Sequence, residues 1–477
     1  MENQEEARRG GRLGRWGLVA ALTGCLVLGA TLMVVPVQRT GPRAVPPAPG
    51  AQALTAVSAG VPAALPDLAV LIGERERHLR RNPRDAASWA VLGAAYVEQG
   101  RRTAQSAYYP KADRALRTSL RVEKSAAAYD GMAALANARR DFRAARTWGE
   151  AARKLDAKRW TTYPPLIDAY TGLGDWKAAG RALERLQELR GGPAVMARAG
   201  AVYRDRGWRE DAMAQLSDAA AAAKTPAERA AYLERVGQLA WERGEREAAL
   251  RNFREAVRID PDQRAAQAGQ GRALAALGRT SEALSAYRLA LAHQPSPQFA
   301  LELGELYESL GLRQAARAQY DLLRARVRSA AADGADEELV LGVFEADHGD
   351  PASAVRRLRA EWRRQPGIAV ADALGWALHR AGADEEALRY AVRATDTVHG
   401  GGVRSALYAF HRGMIERELE RQGPARRHLQ EALRINPYFS PLHVRAAREA
   451  LAELGAEPSS EVPESVTRQP CRSERCD

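Results

Sequence analysis

His399, Gly400, Gly401 and Gly402 are the first residues here that could do chemistry, since flexible backbone beside a histidine can aim N–H groups at an oxyanion. Such a loop acts only beside a nucleophile, and no G-x-S-x-G elbow occurs in the 477 residues. Gly269-Gln270-Gly271 opens like a dinucleotide-phosphate loop but lacks the third glycine and the preceding strand. His411 and Glu418 lie two turns apart on one helix and could share a face, yet two lone ligands make no metal site. There is no P-loop, no H-E-x-x-H and no pair of C-x2-C elements. No catalytic residue, metal or cofactor is therefore expected, and the chain reads as a non-enzyme. What remains are residue types that anchor binding surfaces, so the elements that would carry them come next.

Those elements recur about every 34 residues. A Gly follows an apolar helical run, a second Gly comes seven residues later, and an Ala five beyond: Gly237, Gly244, Ala249, then Gly271, Gly278, Ala283, then Gly304, Gly311, Ala316. Gly342, Gly349, Ala354 and Gly375, Gly382, Ala387 continue the phrase. Fuller copies add Phe253, Ala256 and Pro261, or Tyr287, Ala290 and Pro295, while Trp89, Leu92, Gly93, Tyr96 and Gly100 open the first copy. Degenerate copies keep the phase, as in Tyr170, Gly174, Ala179, Leu183, and a late one has Gly413, Ala425, Leu429 and Pro437 with its turn glycine displaced to Gly423. Units of this kind cannot bury their own apolar faces and must stack.

The pattern resembles the tetratricopeptide repeat family, here a membrane-anchored bacterial member. Each position has a physical job: the first Gly lets two helices touch, and the second ends helix A in a left-handed conformation. Ala and an aromatic pack helix B against helix A, and Pro stops the hairpin. The resemblance implies an all-α, right-handed superhelical solenoid of about ten hairpins over residues 86–437, preceded by one transmembrane helix. A lone capping helix is expected within 67–85 and a second cap within 438–455. Between Arg101 and Pro110 the first copy departs from the pattern, which places Tyr108 and Tyr109 in an inserted loop that is either a contact site or ordinary surface.

In that family the A helices line a concave groove for peptides or helices. Placed in phase, the groove positions are Asp168, Gln238, Trp241, Arg272, Glu305, Glu308, Asp372, Trp376, His379 and Phe410. Trp, Arg and Phe are interface anchors, although Trp241 and Trp376 could equally pack between repeats. The Lys and Asn positions with which chaperone-type members clamp a terminal carboxylate are missing.

Composition agrees with such a stack. Apolar residues make up 46% and aromatics only 6%, so the core must be built mainly from Ala and Leu. The net charge of +12 invites a nucleic-acid partner, but only six residues are Lys, and Arg is spread beside Asp and Glu through almost every repeat. A nucleic-acid footprint would be one concentrated stripe with interleaved aromatics, so no nucleic-acid partner is expected.

From Trp16 to Val37 the chain carries no charge and is almost wholly apolar, long enough to cross a hydrocarbon core of about 30 Å. Arg8, Arg9, Arg12 and Arg15 precede it, which keeps residues 1–15 in the cytoplasm and sends the array across. An uncleaved anchor is the leading reading. A cleaved signal has no small-residue site near the run, and Leu22-Thr23-Gly24-Cys25 resembles a lipoprotein signal acylated at Cys25 but is followed by twelve more apolar residues. Residues 38–66 hold Pro42, Pro46, Pro47, Pro49, Pro62 and Pro66 and read as a semi-extended tether. In the tail, residues 456–477, Cys471 and Cys476 are placed to form a disulfide in an oxidising compartment. The sequence thus points to a membrane-tethered adaptor that binds protein or peptide partners outside the cytoplasm and touches the bilayer through residues 16–37. The alternative is a cytoplasm-facing regulatory or nucleic-acid-associated repeat protein.

Overall fold

The computed structural model describes residues 48–396 and 402–455. The expected membrane span, the Cys25 lipid site, most of the 399–402 glycine run and the Cys471–Cys476 pair lie outside them. Among the described residues no helix is long and apolar enough to cross a membrane.

The described chain is helical throughout, in antiparallel pairs A and B joined by short turns, with no strand among the described residues. The pairs run from Ala86–Thr103 with Tyr108–Val122 to Ala406–Glu418 with Gln422–Ile435, ten in all, and His443–Glu453 closes the array. The turn chemistry follows the glycines: Gly174, Gly207, Gly244, Gly278, Gly311 and Gly382 all have φ between 71° and 78°, a conformation that costs other residues a clash at Cβ. Asp141 and Asp175 then start the next helix by accepting from the N–H groups of Ala144 and Ala178, each at 3.0 Å. A cap of this type stabilises a helix by about 1 kcal/mol.

Packing explains the spacing. A methyl group on Gly237 would meet the Phe253 ring at 2.8 Å, and one on Gly271 would meet the Tyr287 ring at 2.5 Å. The small residue on helix A is the seat for the aromatic on helix B. Ala249, Ala283, Ala316, Ala354 and Ala387, between 0% and 2% exposed, mark where helix B touches helix A. Dispersion and burial in this core come from many small Ala and Leu contacts rather than a few large side chains.

Four expectations are corrected. The tether does not extend to residue 66: Pro49–Ala59 is a helix, with Pro in its first turn and Gly60 at φ 65° ending it. Ala53, Ala56 and Ala63 are buried against Leu68 and Leu71, so helix Leu65–Arg81 is not a lone cap but the second half of an additional hairpin. Tyr108 and Tyr109 do not sit in a loop. They begin a helix, and Tyr109 is buried beside Leu116. The last hairpin turns at Glu420, φ 56°, and Gly423 lies inside the helix that follows. Gly349 also departs from the rule, with φ −136°, and Asp350 caps the next helix.

The solenoid winds back on itself. Asn436 donates to the Trp241 carbonyl at 2.8 Å across 195 residues, Gln365 accepts from Phe142 N–H at 3.2 Å across 223, and Asp336 N–H reaches the Arg139 carbonyl at 2.9 Å. In each case an A–B turn of one hairpin meets the connection that follows a hairpin five or six positions further on.

Candidate interaction surface

Several of the expected groove positions on the A helices are linked to their neighbours, so their polar groups are already engaged by other side chains. Arg272 Nη1 donates to Gln238 Oε1 at 2.6 Å, and its Nη2 donates to Glu302 Oε1 at 3.0 Å, tying three successive hairpins together. Gln238 Nε2 in turn donates to Glu242 at 2.9 Å, and Arg204 grips the same carboxylate at 2.6 and 2.7 Å. Asp168 pairs with Arg198. Glu308 accepts from the Tyr320 hydroxyl at 2.7 Å and faces His348 Nδ1 at 3.2 Å, while Glu305 stands 3.7 Å from the other ring nitrogen. His379 pairs with Asp384.

The apolar anchors are elsewhere than expected. Trp241, Trp376 and Phe410 are 7%, 5% and 1% exposed and lie in the core between repeats. Trp376 Nε1 donates to Asp347 at 2.9 Å, and its ring stacks on His411 with centroids 4.2 Å apart. Asp372 is buried too, bonded to His411 Nδ1 at 3.0 Å. His411 therefore faces Asp372 rather than Glu418, and among the described residues no group of three His, Cys, Asp or Glu side chains is placed to hold a metal. Of the ten positions, Asp168, Gln238, Arg272, Glu305, Glu308 and His379 keep accessible area.

The electrostatics follow from the same burial and pairing. Burial alone would raise the Glu242 carboxyl, but Arg204 outweighs it and holds the group below its ordinary range. Glu234 rises through burial, and Arg235 beside it falls for the same reason. His348 is pulled down by burial and pushed up by Glu305 and Glu308, with the carboxylates prevailing. Asp205 is raised to about 6, first by burial and then by Glu242 and Asp168, against Arg204. An acid with a raised folded-state pKa contributes most stability below its unfolded value, near 3.8, and loses it as pH rises through about 6. Asp205→Asn should therefore raise the thermal midpoint at pH 7.5 but not at pH 4. Because 19% of the side chain remains exposed, the expected gain is about 1 kcal/mol rather than the full linkage value. A lower midpoint at pH 7.5 would mean that the Arg204 pair dominates.

Arg204, Glu242, Glu302 and His348 were missed as groove residues. The only sequence signal for them was their phase on the A helices. A groove of about 540 Å³ at the N-terminal end was also missed: Leu79, Trp89, Leu92 and Tyr96 line it together with Arg80, Lys111 and Arg114. Lys111 Nζ lies 5.2 Å from the Tyr108 ring centroid there.

Comparison with known proteins finds one family model and several solved structures to which the chain is similar. The family model described as "Tetratricopeptide repeat" matches residues 235–298 and again 269–333. No curated protein matches the chain. Among solved structures, a tetratricopeptide repeat protein from Parabacteroides merdae is similar at 16% identity, covering 55% of this chain and 98% of its own, with a TM-score of 0.33. The APC/C hetero-tetramer Cut9-Hcn1 is similar at 15% identity over 77% of this chain and 76% of that one, TM-score 0.38. MamA is similar at 16% identity over 42% and 97%, TM-score 0.21. Residues 235–333 therefore match the tetratricopeptide repeat model, within a longer helical repeat solenoid among the described residues.

Proposed function

We propose that this protein is a membrane-tethered scaffold that presents its repeat array outside the cytoplasm and gathers protein partners there, without catalysing a reaction. The observation that supports the reading best is the pairing along the A helices. Their carboxylates and guanidiniums pair with one another along successive hairpins, an arrangement that holds a shape and presents polar groups in a fixed order. Tetratricopeptide repeats generally mediate protein–protein interaction, and Asp168, Gln238, Arg272, Glu305, Glu308 and His379 are the groove positions left for a partner to touch. Tethering rests on the uncharged run from Trp16 to Val37 and the four arginines before it.

The test is crosslinking and co-purification of the tagged full chain from its native membrane, beside a control truncated after Pro66. A discrete envelope protein recovered with the full chain and lost with the control is the expected result. Recovery of nucleic acid or cytoplasmic proteins alone would overturn both the topology and the scaffold reading, and would favour the cytoplasm-facing alternative.

A further inference from the structure

The winding contacts leave two rims uncovered. In the first part of the chain each A–B turn is covered by a connection one superhelical turn on: a methyl group on Gly174 would meet the Pro366 carbonyl at 2.7 Å, one on Gly244 would meet Asn436 at 3.2 Å, and Gly207 abuts Gly402. The turns at Gly278, Gly311 and Gly382 have nothing of the kind within 4 Å. With the turns at Gly349, which meets only Glu345 of its own helix, and at Glu420 they form a C-terminal rim of five turns. The first five connections of the array, at residues 82–85, 123–125, 156–159, 190–192 and 223–225, form the opposite rim, and among the described residues none of them hydrogen-bonds to an A–B turn one superhelical turn away. One rim is the element type that receives, and the other is the element type that covers.

We propose that copies of this chain assemble head to tail, the N-terminal rim of one copy seated on the C-terminal rim of the next, in the same mode of contact that joins successive turns within one chain. Sequence supports the match. The covering connection at Asn436-Pro437, where Asn436 bonds the Trp241 carbonyl, is repeated at the free rim as Asn82-Pro83. Charge supports it as well. Lys124, Lys158, Arg190 and Lys224 stand exposed on four successive connections of the N-terminal rim, where Glu123 and Asp156 are the exposed acids, and Asp350, Glu385 and Glu420 stand exposed on the last three turns of the C-terminal rim, where Asp350 pairs with Arg356 and Arg421 follows Glu420. Because the two surfaces differ, the contact is heterologous, so it generates a ring or an open series rather than a two-fold dimer.

The test uses the full-length chain in mild detergent, with mass measured by sedimentation velocity across a concentration range at low and high salt. Trimers and larger species that grow with concentration and dissolve at high salt are expected. Lys124→Glu with Lys158→Glu and Arg190→Glu, and separately Glu385→Lys with Glu418→Lys and Glu420→Lys, should each give monomers with unchanged helical content, since all six side chains are exposed. Mixed together, the two variants should regain assembly as an alternating series, because the reversed N-terminal rim of one is now acidic and the reversed C-terminal rim of the other is now basic. A wild-type chain that stays monomeric, a closed two-fold dimer, or assembly indifferent to both sets of reversals would each overturn the proposal. So would a monomer from which the reversals strip another protein, because the rims would then serve that protein instead.

Discussion

Asp260→Ala is expected to destabilise the array by about 3–5 kcal/mol and to loosen its winding. Arg102 is the reason. Only 4% of its side chain is exposed, and its two terminal nitrogens are committed: Nη1 to the Ala63 carbonyl at 2.5 Å and Nη2 to Asp260 Oδ2 at 2.6 Å. The guanidinium thus joins the first hairpin, the end of helix Ala86–Thr103 and a connection 158 residues further on. Removing the carboxylate leaves a cation in a site built for a pair, and the cost is dominated by that uncompensated charge rather than by the lost contact. Arg102→Met combined with Asp260→Ala should recover most of the loss, because no charge is then stranded. The measurements are the denaturant midpoint and the radius of gyration by small-angle scattering, which should grow in the single variant as successive turns part. A single variant with an unchanged radius and a cost under about 1 kcal/mol would mean that this pair does not latch the winding.

The comparison of sequence with structure divides along the same line between local and distant contacts. The hairpins were legible because their demands are steric and repeat in register: a Gly where Phe253, Tyr287 or Tyr320 must sit, and a Gly where φ must be positive. The first hairpin was not, since Pro49 and the small residues after it look like a tether. Proline in the first turn costs a helix nothing, and Ala53 and Ala56 gain their stability from Leu68 and Leu71 rather than from propensity. The groove was half legible. Phase places Trp241, Trp376 and Phe410 on A helices, but a step of one residue turns a side chain by about 100°, so phase alone does not separate the groove face from the face that packs on the next repeat. Contacts such as Asn436 with Trp241 leave no periodic trace at all, because a single partner 195 residues away recurs nowhere else in the pattern.

The second large effect is expected at Phe253, where Phe253→Ala should cost about 3–5 kcal/mol. The ring is fully buried, and it fills the space left by two glycines on different hairpins: a methyl on Gly237 would approach it to 2.8 Å and one on Gly269 to 2.6 Å. No neighbouring side chain projects from either glycine to collapse into the hole, so most of the cavity should persist, which puts the cost at the upper part of that range. The position matters beyond its own energy. Phe253 belongs to the core cluster that runs from Ala230 to Phe344, and in a linear array each hairpin is held only by its neighbours and by the winding contacts. Weakening this junction should therefore split one unfolding transition into two, with the hairpins before it and those after it melting separately. Denaturant titration followed by circular dichroism, together with hydrogen exchange on helices Pro226–Glu242 and Arg264–Ala276, would show the split and locate it. A conservative Phe253→Leu change should lower the midpoint modestly and keep one transition. If Phe253→Ala also kept a single sharp transition at an unchanged midpoint, the winding contacts rather than the aromatic-on-glycine seats would be what makes the array cooperative.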